Sequence, residues 1–237
     1  MTRPLDRRSV EAAIVRNCAP ALDGIKPACL FTYPGTFEAR RRATPVERRQ
    51  LHEARARFQT IIDALACEIA ESGVHIRVLA WRSCGALVYV YRSAALASYL
   101  ADARASRPLA ALGYDPLDVE ACLDLLAVKL GRDARRPIRK RLGRAGADEP
   151  RPCPCPSDRC HRAFPHEMGF FLGYPYADVT GFIEHDGRDF ILSGPWKVYE
   201  DRDGALAMFE RLRSCAARYQ HVYQRGIEFS QLVATGA

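Results

Sequence analysis

A chain of 237 residues, 48% of them hydrophobic, is long enough to bury a substantial core, which argues against a disordered or fibrous protein. No run approaches the roughly eighteen apolar residues of a membrane span, and the opening MTRPLDRRSVEAAIVRNCAP carries charge throughout, so a cytoplasmic protein with no membrane partner is expected. Of the net charge of +7, most falls between Arg132 and Arg162, where ten basic residues face four acidic ones; this marks a solvated basic loop and argues against nucleic acid as a partner.

In chain order, the first element is a helix with Ser9 as N-cap and Val10, Ile14 and Val15 on its apolar face, broken by Pro20 and Gly24. Pro27 and Pro34 then bracket a short apolar run, Ala28 to Thr32, which reads as a strand or an extended plug. Thr44, Pro45 and Glu47 form a capping box with proline at the first helical position. The helix they open carries Leu51, Ala54, Phe58, Ile61, Ile62, Leu65 and Ile69 at steps of three and four, and Gly73 stops it. HIRVLAWR and ALVYVYR, joined through Ser83, Cys84 and Gly85, have the composition and spacing of a tight β-hairpin. Helices follow from about Ser93 and from Asp115, the second with Pro116 at its first turn and a stripe of Val119, Cys122, Leu123, Leu126 and Leu130.

Residues 132 to 165 repeat Arg, Gly, Pro and Cys without apolar periodicity and read as a loop joining an N-terminal half (1–131) to a C-terminal half (166–237) of one co-folded domain. In the second half, MGFFLGYPYADVTGFIEH gives an apolar segment, a Gly-Tyr-Pro turn and a helix over 176–184. DFILSG and WKVYE read as strands, and a last helix starts near Asp203 with Leu206, Phe209, Leu212, Ala216, Tyr219 and Tyr223 on one face. LGYDPLDVEACL and LGYPYADVTGFI echo each other, which reads as the same helix-start chemistry used twice. The fold class is α/β of the α+β type: a small mixed or antiparallel sheet, built from the two hairpin-like pairs and covered by four to five helices.

Nine cysteines, an odd number without a secretion signal, predict reduced thiols, with Cys67 and Cys122 in the core. Cys153, Cys155, Cys160 and His161 offer a donor set for a transition metal such as zinc, iron or copper, although C-P-C spacing departs from the C-x₂-C of zinc knuckles. His166 and Glu167 stand at the border between loop and apolar core, where an imidazole can act as acid, base or ligand with the carboxylate as its partner. Cys18, near the end of the first helix, is the candidate nucleophile or soft ligand. Phe171, Tyr174 and Trp196 belong to an aromatic group able to line a pocket for a flat ligand or cofactor. Motifs for nucleotide, hydrolase and calcium sites are missing, and the helix over 176–184 carries no basic residue to enter a DNA groove.

The segments NCAPALDGIKPACLF, ALVYVYR, PHEMGFFLGYPYADVTGFIEHDGRDF and GPWKVYEDRDGALAMF, in this order along nearly the whole chain, resemble the bacterial domain-of-unknown-function family 3793. That resemblance implies a single co-folded domain with the block from His166 to Ile183 as its signature. The long Arg, Pro and Cys insertion before His166 departs from the family pattern, which implies that the cysteine cluster is not the family's common site. The functional expectation is a small-molecule or cofactor-binding protein, with enzymatic chemistry in a pocket between the NCAP segment and the HEMGFFLGYP block. The alternatives are a metal-binding or redox-responsive protein using Cys153, Cys155, Cys160 and His161, and a nucleic-acid partner acting through the basic loop.

Overall fold

The structure is a computed structural model that describes residues 5–39, 43–133 and 165–234. Its centre is an antiparallel sheet of three strands in the order β1 (Ala28–Pro34), β3 (Gly85–Arg92), β2 (Val74–Arg82). β3 is buried on both faces. Ala86, Val88 and Val90 point into one core and Leu87, Tyr89 and Tyr91 into the other, as the two-residue period of a strand requires.

On the first face lie α1 (Arg7–Leu22) and α2 (Pro45–Glu68), with α8 (Arg202–Gln224) and the short α9 (Phe229–Ala234) packed against α1. The second face is covered by α3 (Ser93–Ala101), α4 (Ala103–Ala111), α5 (Val119–Asp133) and α6 (Met168–Phe171). A third, smaller apolar cluster joins α8 to a two-stranded sheet of β4 (Leu192–Ser193) and β5 (Lys197–Val198), next to α7 (Tyr176–Glu184).

The expected α+β class and the hairpin between β2 and β3 are observed, and the capping box opens α2, with Glu47 N–H donating to Thr44 at 3.2 Å and Thr44 N–H to the Glu47 carboxylate at 2.7 Å. Several details differ. The two hairpin-like pairs do not share a sheet; instead β1 pairs with β3, a partnership between residues far apart in sequence that no local pattern encodes. Asp6, not Ser9, caps α1, accepting the Ser9 amide at 2.9 Å. Pro20 does not break that helix. It sits in the last turn, and the carbonyls that any helix end leaves free are taken by the Arg92 guanidinium, which donates to Ala21 O at 2.8 Å and to Leu22 O. α5 begins at Val119 instead of after Asp115 because the Asp118 carboxylate, accepting from Ala121 N–H at 2.9 Å, supplies the nearer cap. Cys122 is buried as expected, but Cys67 is exposed: the stripe that α2 buries runs through Phe58, Ile62 and Leu65, and Cys67 lies off it. Leu206, expected on the apolar face of α8, is likewise exposed, and that face runs instead through Ala205, Phe209, Leu212, Cys215 and Tyr219.

The Leu-Gly-Tyr echo is a helix stop as well as a start. Gly113 (φ 85°) and Gly173 (φ 63°) both adopt the left-handed conformation that ends a helix, and the next amides, Tyr114 and Tyr174, reach back to Leu109 O and Gly169 O at 3.1 Å each. Their surroundings differ. A Cβ on Gly113 meets nothing within 4 Å, whereas one on Gly173 would lie 2.1 Å from Pro27 Cγ. Gly113→Ala is therefore expected to cost about 1 kcal/mol of backbone strain, and Gly173→Ala about 3 kcal/mol or more because strain and collision add. Urea unfolding midpoints of the two variants check this, and equal losses would show that the Pro27 contact carries no weight.

Candidate functional site

The chain from Pro165 to Lys197 folds around a cavity of about 420 Å³, a size suited to a small organic molecule. Its floor is α6 and the start of α7, held close because Gly169 leaves room for Val179; a Cβ there would meet Val179 Cγ2 at 2.8 Å. One wall is aromatic. Tyr174 stacks on Trp196 with ring centroids 5.1 Å apart, and Phe209 supports Trp196 from behind, edge-on at 4.6 Å.

Asp178 fixes that wall. Its buried carboxylate accepts Trp196 Nε1–H at 2.7 Å and Tyr199 N–H at 2.8 Å, which ties α7 to β5 and orients the indole. With both oxygens engaged, Asp178 acts as a positioning group. Tyr174 is held by its own bonds, donating from its hydroxyl to Pro195 O at 3.3 Å while its backbone carbonyl accepts from Tyr99. Burial pushes the Tyr174 phenol up to about 12, with the nearby Cys29 sulfur adding to the effect, so it is neutral at physiological pH.

Two polar side chains, His166 and Lys197, belong to the lining of this cavity. His166 stands edge-on to Phe182 at 5.2 Å, and among the described residues its imidazole makes no hydrogen bond. Lys197 donates to Gly187 O at 2.6 Å and lies 4.3 Å over the Phe190 ring, and among the described residues no carboxylate pairs with it. The lining thus combines an aromatic wall with an imidazole that has no hydrogen-bond partner among the described residues.

The residues singled out from sequence separate into several places. His166, Tyr174 and Trp196 line the cavity together. Glu167 does not partner His166, because adjacent residues on a turn point apart; it is buried on the other side, accepting from Tyr114 OH at 3.0 Å and pairing with Lys129 Nζ at 3.1 Å. Phe171 is fully buried behind the floor, against Tyr114 at 5.2 Å, and its carbonyl accepts the Tyr89 hydroxyl. Cys18 is also fully buried and does not share the His166 cavity. The NCAP segment and the HEMGFFLGYP block nevertheless meet, through Pro27 at Gly173 and through Lys26, whose Nζ lies 4.5 Å over the Tyr174 ring. Cys153, Cys155, Cys160 and His161 lie outside the described residues, and among the described residues no group of three or more His, Cys, Asp or Glu side chains is placed to hold a metal ion.

Asp178, Lys197 and Lys26 are the site residues that sequence reasoning missed. Asp178 had one available signal, an acidic residue in the first turn of a helix that otherwise packs inward. Compared with known proteins, residues 14–233 match the family described as "Protein of unknown function (DUF3793)". No curated protein and no solved structure matches the chain.

Removing the carboxylate in Asp178→Ala strands two buried N–H donors. The expected loss is about 2–3 kcal/mol in chemical denaturation. Trp196 emission, isolated by Trp81→Phe, should shift to the red as the indole loses its anchor, and an unchanged midpoint and spectrum would contradict this role.

Proposed function

Since the chain belongs to the DUF3793 family, whose description carries no reaction, its activity has to be read from its own cavity, and we propose that it is a cytoplasmic small-molecule-binding protein. The ligand lies flat on the Tyr174–Trp196 wall and turns an acidic or hydrogen-bonding group toward His166 and Lys197. The single observation that carries this reading is the convergence of a braced aromatic wall with the His166 imidazole and the Lys197 side chain around one half-open space of about 420 Å³. If the protein is an enzyme, His166 is the group that moves a proton to or from the ligand, since imidazole is the side chain suited to that task near neutral pH. Glu167 then acts at one remove, its bonds to Tyr114 and Lys129 fixing the turn that carries His166. A cytoplasmic setting is supported by the six free cysteines among the described residues, and no helix of those residues is long and apolar enough to cross a membrane.

Anilinonaphthalene sulfonate, planar and anionic, is the probe that tests the reading. In a Trp81→Phe background it should quench Trp196 saturably by energy transfer. His166→Ala combined with Lys197→Met should weaken that binding by about tenfold, as expected for losing one or two charge-assisted contacts. A neutral naphthyl amine should be far less affected. Binding that ignores these substitutions, and ignores Trp196→Ala as well, would refute the assignment.

A further inference from the structure

The helix α7 is a partition with a cavity on each side. Asp178, Val179 and Phe182 face the aromatic cavity, while Tyr176, Thr180 and Glu184, at steps of four on the opposite flank, line a second, half-open cleft of about 500 Å³. Tyr199 and Glu200, which follow β5, form its other side with His185 and Asp189. The two sides meet closely because Gly181 leaves room for Tyr199; a Cβ there would lie 2.5 Å from Tyr199 Cγ. His185 stacks on the Tyr199 ring with centroids 5.5 Å apart, and its Nδ1 stands 3.5 Å from Asp189 Oδ2.

On a chain of net charge +7 this lining is acidic. Glu184, Asp189 and Glu200 bring three carboxylates, and among the described residues Glu184 and Glu200 have no hydrogen bond or ion pair. The guanidinium in the lining is already neutralised, since Arg104 donates through Nε and Nη2 to Asp102 at 3.0 and 2.9 Å. It lies 4.2 Å over the Tyr176 ring, so one edge of the cleft already receives a guanidinium on an aromatic face. Carboxylates alone would be an ordinary solvated face. What sets this cleft apart is the Tyr199 hydroxyl, which is shut off from water and has no hydrogen-bond partner among the described residues. Buried hydroxyls are paired as a rule, because losing water without a replacement is unfavourable.

We propose that the cleft between α7 and the Tyr199–Glu200 segment is a binding site for a small organic cation, an ammonium or guanidinium on a short carbon chain. Its N–H groups donate to the Glu184 and Glu200 carboxylates and to the Tyr199 hydroxyl oxygen, and its charge offsets theirs. Both heads carry several donors and no acceptor, which is what a lining of carboxylates and one hydroxyl without a partner calls for. The same head occurs on free amines and on an arginine side chain of another protein.

The test uses the full chain and agmatine, which bears a guanidinium at one end and an ammonium at the other, titrated by calorimetry. Saturable binding to a single class of sites is expected. Glu184→Gln combined with Glu200→Gln, at two exposed positions where the amide keeps the shape, should weaken it by about tenfold or more. Butylurea, of similar length but uncharged, should give no saturable heat. Tyr199→Phe separates a ligand role from a structural one: it should weaken agmatine by about fivefold while the melting temperature of the protein without agmatine holds level or rises, because the hydroxyl has no bond there to lose. A capped peptide with one arginine among glycines tells the source of the cation: tighter binding than agmatine assigns the cleft to a protein segment, weaker binding to a free amine, and either order supports the site. His166→Ala with Lys197→Met should leave agmatine affinity unchanged, so this cleft stands or falls apart from the aromatic cavity. Absence of saturable agmatine binding overturns the proposal, as does affinity indifferent to the paired glutamine substitutions, or a Tyr199→Phe variant that melts earlier and binds as before.

Discussion

The fold hangs on one constraint: β3 has no solvent face. A strand buried on both sides must carry apolar side chains along its length, and Ala86–Tyr91 does so, with small aliphatic residues on one side and larger, mostly aromatic ones on the other. The side with Ala86, Val88 and Val90 lets α1 and α2 approach closely. Opposite, Tyr89 spans the second layer and its hydroxyl meets the carbonyl of Phe171, so the floor of the cavity is hung from the central strand by a buried hydrogen bond. The geometry of the site thus begins in a strand that never touches it.

Tyr174 gives that site its second dimension. One edge of its surroundings is the cavity, where the ring stacks on Trp196, and the other is the Lys26 ammonium. A single aromatic ring thus joins the lining of the cavity to the segment that follows α1. The close seating of Gly173 on Pro27 holds this arrangement in register, since no other residue type fits that approach with a left-handed backbone.

Local chemistry was readable in the sequence wherever it decided the outcome. The capping box at Thr44, the hairpin around Cys84 and the helix Tyr176–Glu184 follow from neighbouring residues alone. Features decided at a distance were not. The end of α1 is closed by Arg92, seventy-odd residues on, which takes the carbonyls of Ala21 and Leu22. β1 finds β3 across the whole of α2, and β4 and β5 are held to two residues each, too short to join the main sheet. For the site the same division holds. Tyr174, Trp196 and His166 were visible as an aromatic cluster and a histidine at its edge. The His166–Glu167 dyad failed because adjacency along a turn sends side chains opposite ways, and Lys26 escaped notice because the fold alone brings it over Tyr174.

The seam between α1 and α8 has a bearing on how the molecule comes into being. Asp23 accepts from Arg218 at 2.6 Å and from Tyr219 at 3.0 Å, and Glu11 accepts from Tyr223 at 2.9 Å, so an early helix is covered by one made almost two hundred residues later. While the ribosome is still working, the outer flank of α1 has no mate, and only when α8 has cleared the exit tunnel can that layer close. While the residues between α1 and α8 are being made, α1 stands half-dressed, a ready client for whatever shields unfinished chains.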